Sequence, residues 1–139
     1  MFTKKVLNDK DQCVKYIFHI KKELLQDGKP RPRILVPREG ESLSLYEVTD
    51  IIHNNICEHG HTHVDTPAKG RIHIGYIKFI HESFEKLGLN TIYDDIPPRH
   101  VSVEFSGKPE YKRELAKALA DEVVVIDNNA KKKYFAECG

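Results

Sequence analysis

Three patterns predict a single compact domain of the α+β (or α/β) class over residues 1–139, with a small mixed sheet packed by about four helices. The stretch "HVSVEF" at 100–105 alternates strictly, and a side-chain period of two is that of a strand with one buried face. Elsewhere apolar residues recur every three or four positions and Gly or Pro closes the runs, as at the ends of helices. A strand, a helix and a second strand then follow one another between residues 100 and 126, the order of a crossover unit. A chain of 139 residues, 40% hydrophobic and 31% charged, has room for its own core and is richer in apolar residues than disordered sequence.

In order along the chain, residues 9–27 are expected to be helical, because Val14, Ile17, Phe18, Leu24 and Leu25 recur at helical spacing and Gly28 offers a left-handed stop. "KPRPR" at 29–33 breaks that helix: Pro30 and Pro32 lack amide donors and hold the residues before them extended. A short strand is expected at 34–36, closed by Pro37 and Gly40. Ser44 and Glu47 have the spacing of a capping box, so a second helix is expected from Ser44, burying Leu45, Val48, Ile52 and Ile56. Pro67 and Gly70 mark a turn. "RIHIGYIKFIHESFEKLG" at 71–88 begins as a strand and ends as a helix, with the boundary near Gly75 and Gly88 after it. In "HVSVEF", Val101, Val103 and Phe105 face inward and His100, Ser102 and Glu104 outward. Pro109 suits the first turn of a helix carrying Tyr111, Leu115, Ala118 and Leu119, and "VVVI" at 123–126 reads as a buried strand. The tail "AKKKYFAECG" can add an edge strand or pack Tyr134 and Phe135.

No run approaches the roughly 18 apolar residues of a membrane span, and "MFTKKVLNDK" lacks the apolar core of a signal peptide. No membrane association and a cytoplasmic location are therefore expected. Cys13, Cys57 and Cys138 are far apart and odd in number, which argues against a disulfide framework and for a reducing compartment. The net charge of +1 is too even for a protein that coats nucleic acid by charge alone. Three local basic runs, Lys4-Lys5, "KPRPR" and residues 131–133, are still able to hold phosphates.

The chemistry concentrates in "NNICEHGHTHVDT" at 54–66. Six of the eight histidines, His53, His59, His61, His63, His73 and His81, lie between residues 53 and 81. Neutral imidazole and thiolate are the preferred ligands of zinc and similar cations, and a site needs three or four that converge. If residues 57–63 are extended, Cys57, His59, His61 and His63 share one side of the chain. His73, His81 or His100 then completes a catalytic site for a divalent metal, zinc by ligand type. Glu58 or Asp65 orients a ligand or serves as general base, and His100 is a further acid or base. Lys69, Arg71 and Arg99 are placed to neutralise a small anionic substrate. The expectation is a small metal-assisted hydrolase of a phosphoester or nucleotide. The same histidines can act as acid and base without metal, or lie solvated in a loop broken by Gly60 and Thr62. The rival class is a non-catalytic module docking on nucleic acid or a protein through its basic segments.

Short resemblances accompany this pattern. "HTHVD" at 61–65 resembles the H-x-H-x-D motif of metallo-β-lactamase-type hydrolases, with Thr66 where a histidine is expected, and "CEHGH" at 57–61 resembles part of the pterin synthase motif. "HESF" at 81–84 and "HVSV" at 100–103 resemble the paired motif of two-histidine phosphoesterases, which implies one histidine as acid and the other as base. Asp94 or Asp95 with Glu104 is similar to a nuclease carboxylate set, with Ser106 where the companion lysine would stand. Each covers too few residues to assign a family.

Overall fold

The computed structural model describes residues 7–128 and 131–139, so the Lys4-Lys5 pair lies outside the described residues. Its organising element is β1, Gln12–Ile17, which is paired along both edges. On one side it runs antiparallel to β2, Leu43–Glu47, with Cys13 opposite Glu47; on the other it runs antiparallel to β3, Gly75–Ile80, with Cys13 opposite Phe79. Cys13 and Ile17 enter one core, while Val14 and Tyr16 enter another. A strand buried on both faces carries apolar residues at both parities, so its period of two is masked. This corrects the helix expected over residues 9–27: Val14, Ile17 and Phe18 fit a helical spacing by accident, and α1 is confined to Ile20–Glu23.

Two further strands extend the sheet past β2. β5, His100–Glu104, pairs with β2, and β4, Asn90–Tyr93, pairs with β5. Beyond β3 lies β8, Ala136–Glu137, the edge strand that the tail was expected to provide. The order is β4-β5-β2-β1-β3-β8, antiparallel throughout. The expected small mixed sheet is thus a six-stranded antiparallel one. "VVVI" does not enter it as a crossover partner: Val123 is buried, Val124 donates its N–H to the Lys78 carbonyl, and β6, Ile126–Asn128, pairs with β7, Lys131–Lys133, as a separate ribbon.

Four α-helices are present among the described residues, in line with the expected number: α1, α2 at His53–His63, α3 at His81–Lys86 and α4 at Pro109–Ala120. The strand in "HVSVEF" and the helix opening at Pro109 stand as expected. In "RIHIGYIKFIHESFEKLG" a strand does precede a helix, but the boundary expected near Gly75 lies at Ile80–His81: Gly75 begins β3, and Ile77 and Ile80 belong to the strand. Two other expectations fail. Residues 34–36 are not a strand, because Pro32–Leu35 form a 3-10 turn with Pro32 opening it. Nor does a helix begin at Ser44, which sits within β2; Glu47 is buried and accepts the N–H of Thr49 at 2.6 Å rather than closing a capping box. Helix α2 starts nine residues later, at His53.

The two faces of the sheet differ in kind. The core on one side has eighteen buried residues, among them Leu45, Ile77, Phe79 and Val103 of the sheet, Phe84 of α3, Leu119 of α4 and Leu35 of the 3-10 turn. Each large apolar side chain there contributes about 1.5–3 kcal/mol. The core on the other side has six buried residues, two of them tyrosines and one, Ile56, contributed by α2. Cys57 of α2 is joined to Cys138 by a disulfide with Cα atoms 5.6 Å apart, which corrects the expectation of no disulfide. Among the described residues no helix is long and apolar enough to cross a membrane.

Candidate functional site

Helical rather than extended geometry in α2 decides which side chains of the histidine segment can meet. At 100° per residue, His53, Cys57 and His61 follow one stripe, and His59 and His63 follow another. The expected grouping of Cys57, His59, His61 and His63 on one side is therefore split. How closely α2 approaches the sheet is set by Gly60: a Cβ there would lie 2.5 Å from His73 Cε1 and 2.7 Å from Tyr16 Cε1, so only hydrogen fits.

Under the helix, β1, β2 and β3 present Tyr16, Tyr46 and Tyr76. The Tyr16 hydroxyl donates to the Ile56 carbonyl at 2.7 Å and lies 2.9 Å from Nδ1 of His59, whose Nε2 donates to the Pro98 carbonyl at 2.7 Å. The Nε2–H of His59 is committed to Pro98, while its Nδ1 competes with the Ile56 carbonyl for the single Tyr16 O–H proton. Burial lowers the His59 pKa, the Pro98 carbonyl opposes this only in part, and the neighbouring His63 and Arg99 charges add to it. Burial likewise raises the Tyr16 phenol, with Tyr46 adding to the effect, so its hydroxyl stays protonated at neutral pH.

Just past the end of α2, Asp65 gathers two histidines. Its Oδ2 accepts from Nδ1 of His61 at 2.7 Å, and its Oδ1 accepts from Nδ1 of His73 at 2.8 Å and from the His73 backbone N–H at 2.9 Å. Burial works to raise the Asp65 carboxyl, but the bonds from His73 and His61 outweigh it and hold the group below the usual carboxylate range. His73 is 2% exposed, and its Nε2 has no hydrogen-bond partner among the described residues. One donor atom from each of His61, Asp65 and His73 lies within 4.8 Å of the others. Two imidazoles and a carboxylate make a set that a catalytic zinc site can use with a position left for water.

The remaining expected residues do not join that point. His63 is exposed, its ring 5.0 Å from that of His59. Cys57 is bonded to Cys138 and neighbours His53. His100 is held by Asp94, Nδ1 to Oδ1 at 2.6 Å, and Ser102 donates to the other carboxylate oxygen at 3.1 Å. The His100 ring packs 5.5 Å from Tyr46, which packs 5.6 Å from Tyr16, so two tyrosines separate it from His73. His81 bonds the Thr91 hydroxyl at 2.6 Å and packs on Phe84, apart from α2. Glu58 and Lys69 are exposed. Arg71 lies over the Phe18 ring at 4.2 Å and pairs with Thr66 across the turn that returns the chain from Asp65 to His73. Arg99 is engaged by the Glu47 carboxylate at 3.6 Å and its carbonyl at 3.3 Å.

No protein-family model, curated protein or solved structure matches the chain. The likenesses of "HTHVD" and "CEHGH" to larger families therefore have no wider counterpart. The contributions missed from sequence were Tyr16, Tyr46 and Tyr76. Their signal is a tyrosine on the same face of three adjacent strands, legible only once residues 12–17 and 43–47 are read as strands.

Proposed function

We propose that the chain is a small metal-assisted hydrolase acting on a phosphoester or nucleotide, with a divalent cation, zinc by ligand type, held by His61, Asp65 and His73. What carries the reading is the Asp65 carboxylate shared between two imidazoles, one of them buried with an unpartnered nitrogen. Such a pair of rings is already oriented, which is the costly part of assembling a metal site. A bound cation lowers the pKa of its water to about 7 and so supplies hydroxide near neutral pH. In this reading Glu58, exposed one turn before His61 on α2, is the residue proposed to take that proton. Arg71, at the end of the 66–71 turn, neutralises the substrate anion. His59 serves the scaffold, since its Nε2–H is committed to Pro98 and its Nδ1 faces the Tyr16 hydroxyl. A cytoplasmic location is part of this proposal, and the Cys57–Cys138 disulfide counts against the reducing compartment first read from the cysteine spacing.

The test is metal analysis of protein purified without a histidine tag, together with hydrolysis of bis-p-nitrophenyl phosphate. We expect one zinc per chain, loss of both metal and hydrolysis in Asp65→Asn and His73→Ala, and a lower melting temperature on chelation. A metal-free chain whose melting is indifferent to chelators would end the reading.

One observation favours the rival binding-module reading. On the opposite face of the sheet, a groove of about 650 Å³ between the first 3-10 turn and α4 is lined by Arg33, Arg38, Lys112, Arg113 and Lys117, with Glu39 as the opposing charge. The cations first expected to carry this role, Lys29, Arg31 and Arg33, are partly occupied: Arg31 and Arg33 donate to the Lys21 and Lys22 carbonyls and Lys29 lies over Tyr134. The phosphate-binding surface therefore moves to Arg38 and α4.

A further inference from the structure

We propose that His53, Cys57 and Cys138 form a second metal site, for a soft divalent cation of the zinc class, which is closed by the disulfide in the oxidised chain and opened by reduction. One donor atom from each residue lies within 4.8 Å of the other two. The trio shares no residue with His61, Asp65 and His73, so it stands or falls independently of the hydrolase reading.

Each ligand is delivered by a different constraint. His53 and Cys57 are four residues apart on α2, which sets their side chains one above the other, and His53 Nε2 lies 3.7 Å from Cys57 Sγ. The other ring nitrogen, Nδ1, is 2.7 Å from the Tyr76 hydroxyl. That contact fixes the ring with Nε2 toward the sulfurs, as outer hydrogen-bond partners do for ligating imidazoles. Cys138 follows β8, and its N–H donates to the Ile74 carbonyl at 2.8 Å, so it remains beside α2 when the S–S bond is broken. Two thiolates each about 2.3 Å from one tetrahedral zinc stand about 3.8 Å apart. With Cα atoms 5.6 Å apart, side-chain rotation reaches that spacing. Access is open: His53 is exposed, and a cleft of about 590 Å³ walled by His53, Tyr76, Lys78 and Glu137 adjoins it.

The chemistry balances with a dithiol reductant. It supplies two electrons and two protons, the Cys57–Cys138 bond breaks, two thiols form, and the reductant leaves as its own disulfide. The cation then displaces both thiol protons, takes the His53 Nε2 lone pair, and completes four-coordination with water. A disulfide oxidant reverses the sequence and expels the cation.

The experiment is a Co²⁺ titration of the metal-stripped full chain, with and without a phosphine reductant that does not itself bind as a thiol. The expected result is a thiolate-to-cobalt charge-transfer band that appears only after reduction, saturates at one equivalent in an Asp65→Asn background and is displaced by Zn²⁺. The band is lost in Cys57→Ser and in Cys138→Ser, weakened at least about tenfold in His53→Ala, and unchanged in Asp65→Asn. In an Asp65→Asn background, Zn²⁺ also raises the melting temperature of the reduced chain and not of the oxidised one; a reduced chain that unfolds and is refolded by Zn²⁺ gives the same support. The proposal is overturned if reduction produces no band, if the band survives the Cys57→Ser, Cys138→Ser double variant, if His53→Ala binds with unchanged affinity, or if a reduced, unfolded chain is not rescued.

Discussion

Gly60 is the residue on which the candidate site depends most closely, and two opposing effects meet there. Alanine gains about 1 kcal/mol over glycine in a helix interior, but its Cβ would stand 2.5 Å from the buried His73 ring and 2.7 Å from Tyr16. Overpacking of that kind costs about 1–3 kcal/mol, and neither ring has room to retreat. Gly60→Ala is therefore expected to lower stability by about 1–2 kcal/mol in urea denaturation, and a stabilised variant would show that α2 lies further from the sheet. His59 sets a second expectation. Burial depresses its pKa below the usual 6.5, so the folded state binds fewer protons than the unfolded state once the pH falls below about 6.5. Its contribution is complete above that value and is lost as the pH falls through the depressed folded value. Stability should decline from pH 7 to pH 5 by less than about 1.4 kcal/mol per pH unit from this group, and His59→Gln, which keeps the donor to Pro98, should flatten the profile. The Asp65 carboxyl, also depressed, adds a further loss only below about pH 4.

Among the elements, the strands that misled sequence reading are those buried on both faces. "HVSVEF" was legible because one face of β5 carries Val101 and Val103 and the other carries His100 and Ser102. Residues 12–17 were not, because β1 is covered above and below and shows no alternation. Helix α4 was legible from Pro109, which opens it, but its face was only partly read: of Tyr111, Leu115, Ala118 and Leu119, Leu119 is buried and Tyr111 is exposed, while Ala116 and Ala120 complete the buried side. The histidine segment was placed correctly in the chain but in the wrong conformation, because polar residues at 53–63 give a helix too little apolar periodicity to announce itself. The element with the largest external dependence is β8, two residues long and tied to α2 across 81 residues by the disulfide. Chain-entropy arguments assign a cross-link of that span about 4 kcal/mol. Reduction in the absence of metal is expected to lower the melting temperature by on the order of 10 °C, measured by calorimetry with and without reductant; an unchanged value would mean that β8 is held by its own packing.

For the whole molecule, the sheet separates a large apolar core from a smaller, more polar layer. One face holds the large apolar core under α3 and α4; the other holds tyrosines, histidines and aspartates under α2. The basic groove lies with α4 on the first side and so tests the binding reading without disturbing the second. If that groove binds single-stranded oligonucleotide through Arg38, Lys112, Arg113 and Lys117, log affinity should fall with log salt at a slope of about −3. Chelators should leave it unchanged, and Lys112→Glu with Arg113→Glu should remove it; a salt-independent affinity would exclude the reading. By itself the sequence determined that the chain can form one domain of helices and strands, that its histidines concentrate around residues 57–65, and that "HVSVEF" is a strand. Those properties follow from local pattern and composition. Only the tertiary structure decided the six-strand order, the pairing of Cys57 with Cys138 and the sharing of Asp65 by His61 and His73, because each depends on contacts between segments that carry no mark of one another in the chain.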